Sequence, residues 1–343
     1  MGAVDAPGTP TLDEVARLAG VSRATASRAV NGSSRVSDRA REAVEAAVRS
    51  LGYVANPAAR SLATRRTDSV AVVVPEPDDR VFSDPFFGRT LTAVNRVLAE
   101  RDLQLVLLLA RPGEEEGRTL RYLRGGHVDG AIVVSHHRSD HLAEHLAGLG
   151  LPCAFVGRPI LGADRVAWAD TDNVAGARLA TELLLERGCR RIGHVAGPGD
   201  MAVGQDRLAG HLAALAEAGL DRDPGAGPVE HGDFTEASGE AACARLLAAY
   251  PDLDGLFVAS DLMARGALRA LAAAGRSVPD DVAVVGYDDL GADHCTPPLT
   301  TVVNPAGDLA ERATRLLLAR LDDPAAVPEP VLLPPTLVRR ASA

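Results

Sequence analysis

Lysine is absent from this 343-residue chain; all 36 basic side chains are arginine. Alongside so much alanine, glycine and proline, that absence reads as GC-rich coding, and no function is drawn from it. Cysteine is sparse. Cys153, Cys189, Cys243 and Cys295 lie far apart without a C-x-x-C, which removes a thiolate metal site and a disulfide framework and suggests reduced thiols in a cytoplasmic protein. No apolar run approaches the roughly 20 residues of a membrane span, so no membrane partner is expected. The start, "MGAVDAPGTPTLDE", has no basic segment followed by an apolar one, so it does not read as a secretory signal. The nucleophile-elbow, P-loop and dinucleotide fingerprints are missing, no pair of carboxylates stands out, and no enzyme chemistry or cofactor is expected. Aromatics make up only 3% of the chain.

What is present is an uneven distribution of charge. The net charge is -10, yet residues 1–66 hold ten arginines against six acidic residues. Within "VARLAGVSRATASRAVNG", Arg17, Arg23 and Arg28 stand without one Asp or Glu. A basic head on an acidic body points to a polyanionic partner such as nucleic acid. The local pattern agrees. "TLDE" is a capping box from Thr11 to Glu14, and a helix should run from it to Gly20. Ser22 caps a second helix, "RATASRAVN", after a turn of three to four residues. That is the helix-turn-helix arrangement, whose second helix enters the major groove. A third helix should start at Ser37 and end before Gly52, packing on Ala40, Val44, Ala47, Val48 and Leu51. Val15, Leu18, Val21 and Val30 are expected to complete the small core.

"TLDEVARLAGVSRATASRAVNG" and "VSDRAREAVEAAVRSLGYVANPAARSLA" together closely resemble the DNA-binding head of the lactose/galactose repressor (LacI/GalR) family. By position, the resemblance implies that Arg23, Ala24 and Arg28 face base edges, while Ser22, Thr25, Ser27 and Asn31 hold phosphates. The chemistry suits those roles: arginine forks onto guanine, a small side chain can touch a thymine methyl, and short hydroxyls at a helix start suit phosphate oxygens. For Thr25 and Ser27 the alternative is a merely solvated helix face. "NPAARSLATRR" matches the family's hinge, with Ala59 and Leu62 at its minor-groove positions and Leu62 as the apolar wedge. The alternative there is a plain linker.

From Ser69 onward, apolar runs such as "SVAVVVP", "GAIVVS", "RIGHVAG" and "DVAVVGYDD" alternate with helical patterns, as in doubly wound parallel sheets. There are too many strands for one comfortable sheet, so two lobes with a cleft are expected. "RIGHVAG", "VGYDD" and "PPLTTV" resemble the family's effector domain, whose fold is that of type I periplasmic sugar-binding proteins. The fold class is therefore an all-α head plus an α/β body of two doubly wound lobes. The expected domains are 1–55, a hinge at 56–68, and a body at 69–343. In the body, the first lobe is 69–168 plus about 304–323, and the second is 169–303 plus the last strand.

Ligand groups in such sheets lie beyond the strand ends. The resemblance places sugar-hydroxyl contacts on Arg207, Ser260 and Asp288, with Asn304 at a further polar cleft position. Ser260 stands where the family commonly has Asn. Asp84 is a further candidate, and Phe86, Phe87 and Phe234 are candidates to cover an apolar sugar face, although one of the adjacent pair should be core. Trp168 and Tyr287 should pack at the lobe crossings. His137, His141 and His145 have metal-like spacing, but a solvated helix start is favoured and no metal is expected. The combined expectation is a repressor that binds palindromic operator DNA as a homodimer under control of a small carbohydrate effector. "LVRRASA" resembles no leucine-heptad tetramerisation helix. A transport-type sugar-binding protein is the alternative.

Overall fold

The computed structural model describes residues 10–31, 35–53, 66–110, 117–220, 227–326 and 329–343. Ala59 and Leu62 lie outside the described residues. The chain divides into two compact units, Met1–Thr67 and Asp68–Ala343.

In the smaller unit, α1 spans Leu12–Ala19, α2 Arg23–Val30 and α3 Asp38–Leu51. The capping box is formed: the Thr11 amide donates to Glu14 Oε2 at 2.8 Å and the Glu14 amide to Thr11 Oγ1 at 3.3 Å. Gly20 ends α1 at φ 66°, a left-handed conformation that glycine adopts without steric cost. Ser22 Oγ accepts from the Thr25 amide at 3.1 Å and starts α2. Two eight-residue helices are too short to persist alone, so the shared core of Val15, Ala16, Ala26, Val44 and Ala47 holds them. Leu18 departs from expectation: although it shares a face with Val15 one turn away, it is 56% exposed at the edge of the small core.

The body carries two six-stranded sheets. The first contains β1 (Ser69–Val74), β2 (Gln104–Leu109), β3 (Gly130–Val134), β4 (Cys153–Val156), β5 (Ala167–Thr171) and β11 (Val331–Leu333), in the order β11-β5-β4-β3-β1-β2. The second contains β6 (Ile192–Ala196), β7 (Val229–His231), β8 (Gly255–Val258), β9 (Ala283–Asp288), β10 (Thr300–Val303) and β12 (Thr336–Val338), in the order β12-β10-β9-β8-β6-β7. Among the described strand pairs only β10 with β12 is antiparallel.

Strands covered on both faces explain the unbroken apolar runs. In β1, Val70, Val72 and Val74 pack under the helices α5 (Pro85–Ala99) and α12 (Ala306–Asp322). Ala71 and Val73 face α6 (Arg118–Arg124) and α7 (Leu142–Leu149) on the other side. The second sheet is layered in the same way by α8 (Asn173–Glu186) and α9 (Ala202–Glu217) on one face, and α10 (Glu236–Ala249) and α11 (Asp261–Ala273) on the other. The lobe boundaries shift from those expected. β5 runs to Thr171 in the first sheet, so the first crossing follows Thr171. β11, beyond α12, also joins the first sheet, pairing with β5 through Val331 and Ala169.

Candidate functional site

On the head, Arg17, Arg23, Ala24 and Arg28 are exposed, and Thr25, Ser27 and Asn31 are partly so. The arginines sit on one short helix-turn-helix whose second helix has no acidic residue in its first turn. Arg23 Nε lies 3.3 Å from Asp13 of α1, an exposed pair held loosely enough for the guanidinium to be redirected. The Ser22 hydroxyl contacts Thr25 Oγ1 at 2.9 Å, and Asn31 Nδ2 reaches Ser27 Oγ at 3.5 Å. This surface offers guanidinium forks beside small hydroxyls at a helix N-terminus, the donor set that phosphates and guanine edges accept.

In the body, the carboxyl ends of both sheets open onto one cleft, with about 100 Å³ of room for water-sized molecules and further space open to solvent. Asp84, Phe86, Arg207, Phe234, Ser260, Asp288 and Asn304 all line it. Phe87 does not. It is 1% exposed and packs in the first lobe's core, edge-on to Phe86 with ring centroids 5.4 Å apart, because adjacent helical residues point in different directions.

Arg207 projects from α9 and is buried. Its Nε donates to Asn173 Oδ1 at 3.0 Å, its Nη1 to the Ala259 carbonyl at 2.5 Å, and its Nη2 to Asp288 Oδ1 at 3.5 Å. Its guanidinium stacks on Tyr287, 3.5 Å from the ring centroid. Asn304 Nδ2 also donates to Asp288 Oδ1, at 3.2 Å, and Asn304 Oδ1 accepts from Thr171 Oγ1 at the same distance. Burial raises the Asp288 carboxyl above its ordinary range; Arg207 draws it back and nearby Asp84 pushes it up again. Asp84 is raised by burial too, although the Phe86 amide donates to its Oδ1 at 2.9 Å. Among the described residues, no hydrogen bond reaches the second carboxylate oxygen of either group. Ser260 has a structural part as well: its Oγ accepts from the Met263 amide at 3.2 Å as the N-cap of α11, which leaves its O–H to donate toward the cleft it lines.

A further network was not foreseen in the sequence. Asp170 accepts from the amides of Arg158 and Thr171, at 2.9 and 2.8 Å, and from Asn173 Nδ2 at 3.0 Å. With Asn173, Arg207, Asp288 and Asn304 it forms a connected polar chain that links two of the lobe crossings, after Thr171 and at Asn304. Its signal was present in "DTDN", directly after the apolar half of β5.

The head's profile, "Bacterial regulatory proteins, lacI family", matches residues 11–56, and "Periplasmic binding protein-like domain" matches residues 181–343. The HTH-type transcriptional regulator CelR of Thermobifida fusca is 47% identical over 97% of this chain and 98% of that protein. The chain belongs to the lacI family of bacterial regulatory proteins. It is a helix-turn-helix transcriptional regulator. The ribose operon repressor of Escherichia coli K12 is 32% identical, with 97% and 99% covered. Among solved structures, a transcriptional regulator CelR–cellobiose complex gives a TM-score of 0.77 at 45% identity, covering 97% of this chain and all of that one. A Lac repressor dimer bound to operator and an anti-inducer gives 0.82 at 29% identity, covering 97% and 98%.

The regulator's two lobes also meet across the cleft through charged contacts. Arg158, after β4, forms a two-pronged bridge to Asp206 of α9, with Nη2 2.9 and 2.7 Å from the carboxylate oxygens. His137 was expected on a solvated helix start. It instead lies between Glu76 of the first lobe, at 3.2 Å from Nε2, and Asp200 of the second, at 2.9 Å from Nδ1. The hydrogen bond and charge of Glu76 lead in raising the His137 pKa to about 9, so it is a cation at neutral pH. Glu76 itself is buried, bound by Arg80 at 2.6 Å and by Ser135 Oγ at 2.5 Å. His141 pairs with Glu144 at 2.8 Å, which separates it from His137. Among the described residues no His, Cys, Asp and Glu group is arranged for a metal, and no helix is long and apolar enough to cross a membrane.

Proposed function

We propose that this regulator is a repressor whose homodimer holds palindromic operator DNA and responds to an uncharged β-linked glucose disaccharide of the cellobiose type bound between its lobes. The observation that carries the reading is the cleft's chemistry. Asp84 and Asp288 offer carboxylate oxygens to vicinal hydroxyls, Asn304 and Arg207 orient them, and Phe86 and Phe234 supply apolar faces from opposite lobes. Identity of 47% to CelR and the cellobiose complex of a 45% identical chain support that ligand class. On the DNA side, Arg23, Ala24 and Arg28 read bases, Ser22, Thr25, Ser27 and Asn31 hold phosphates, and Ala59 and Leu62 enter the minor groove. Ligand acts by binding one lobe arrangement better than the other, which shifts the equilibrium that positions the heads. No catalytic step is assigned.

The test is calorimetric titration of the full chain with glucose, cellobiose, maltose and ribose, followed by operator gel shifts with each sugar. Cellobiose should bind tightest and change operator affinity. Tighter binding of ribose or maltose, or a gel shift indifferent to all four, would reject the reading.

A further inference from the structure

A second chamber adjoins the effector cleft, with about 490 Å³ of room for water-sized molecules. The two are stacked, and three segments show this by alternation. Ser135 and His136 line the inner cleft while His137 and Ser139 line the outer chamber; Met201 lies inside and Asp200 outside. Phe234 faces inward between Asp233 and Thr235, which face outward. Arg80 belongs to both. Its guanidinium sits 5.3 Å from the Phe234 ring centroid across the lobes and forms their common wall.

The outer lining is distinctive in kind. Asp79 and Ser83 come from the first lobe's helix α4 (Asp78–Ser83), and Asp200 and Asp233 from the second lobe. Pro77 and Pro198 add C–H surface on either side. The cations available to offset these carboxylates are already engaged: Arg80 with Glu76 at 2.6 Å, and His137 with both Glu76 and Asp200. Glu76 and Asp200 are thereby offset, while Asp79, Asp140 and Asp233 have no ion-pair partner among the described residues. An anionic ligand would meet their negative charge, whereas neighbouring hydroxyls on an uncharged ring can donate to carboxylates and lay C–H faces on proline.

We propose that this outer chamber is a further saccharide subsite, so that the effector can be an uncharged oligosaccharide longer than two rings, its first two rings in the inner cleft and the next passing Arg80 into the outer chamber. This rests on the inner cleft being a β-glucoside site. The third ring gains contacts from both lobes and therefore favours their closed arrangement as the first two do.

Calorimetry with the full chain against glucose, cellobiose, cellotriose and cellotetraose tests it. Affinity should rise about tenfold from two rings to three, the worth of one or two net hydrogen bonds. Ser139→Trp, which fills the chamber from an exposed turn, should bring the three-ring to two-ring affinity ratio close to one, and Asp79→Ala should reduce it. Circular dichroism confirms that both variants fold. Equal affinity for two and three rings in the unaltered chain, or an undiminished ratio in both variants, overturns the outer subsite while leaving the inner-cleft reading intact. If cellobiose itself fails to bind, the inner-cleft reading falls and this proposal falls with it.

Discussion

Asp288 ends β9 at φ 114°, with one carboxylate oxygen shared by Arg207 and Asn304. Ser135 and Phe234 also line the cleft with φ of 56° and 66°. Three non-glycine residues held in the left-handed region at one cleft are a sign of strain retained for placement. Asp288→Ala should therefore weaken the effector at least tenfold, the order expected for a lost charged hydrogen bond, and leave operator binding unchanged. Arg207 keeps its bonds to Asn173 and Ala259, so the variant should stay folded by circular dichroism. A wild-type response would remove Asp288 from the site. Two other residues contribute to acid stability. His194 donates Nδ1–H to the Phe257 carbonyl at 3.0 Å and His211 Nδ1 meets Thr181 Oγ1 at 2.9 Å, while both buried Nε2 atoms have no partner among the described residues. Burial pushes His194 down to about 3 and His211 well below its ordinary value. The unfolded chain binds these protons near pH 6.5 and the folded one does not. Their contribution is thus complete above pH 6.5 and declines as pH falls from there toward 3, by up to roughly 1.4 kcal/mol per pH unit for each histidine. Denaturant unfolding between pH 7 and 4.5 should show a shallower slope for His211→Leu. An unchanged slope would show that His211 does not titrate in this window.

At the scale of elements, the turn between α1 and α2 sets where the arginines stand. Gly20 and the Ser22 cap end one helix and begin the next within three residues, which presents Arg23 at the start of α2 and Arg28 in its last turn. Arg23→Ala should cost about 1–3 kcal/mol at one base pair of each operator half-site and relax preference there. Uniform loss across all operator variants in a binding-site scan would make Arg23 a phosphate contact instead. Both Arg23 and its partner Asp13 are exposed, so head stability should change little.

For the whole body, the geometry that matters is the relation of its two lobes. The polar chain from Asp170 through Asn173, Arg207 and Asp288 to Asn304 joins the first crossing, after Thr171, to the second, at Asn304. The Arg158–Asp206 bridge lies between the lobes farther along the cleft and is partly exposed, so its worth is that of a half-solvated pair, about 0.2–1 kcal/mol. Arg158→Ala and Asp206→Ala should each weaken the effector by about two- to fivefold by removing that bias toward closure, and the double variant should be no worse than either. Additive losses in titration would mean that the two residues act separately.

Local chemistry wrote much of this protein directly into its sequence. The capping box, Gly20 and Ser22 announce the head because caps and left-handed glycines act within a few residues. The apolar runs announce buried parallel strands because a strand covered on both faces has no polar side to show. The cleft was legible wherever a side chain stood just past such a strand, as with Asp288, or matched a family motif, as with Arg207. What the sequence could not reveal depended on distance in space. Phe86 and Phe87 are identical in type and adjacent, and only the packing of α5 decided which met the cleft and which the core. That Ser260 also caps the helix that follows it was settled only by the fold. Asp170 and Asn173 read as loop residues until β5 was seen to end at the crossing. His137 read as a solvated histidine until two carboxylates from different lobes, 61 and 63 residues away along the chain, closed on its ring. Helix caps and strand burial follow from neighbours along the chain, whereas a cleft formed between two lobes follows from which strand ends the folded sheets bring opposite one another.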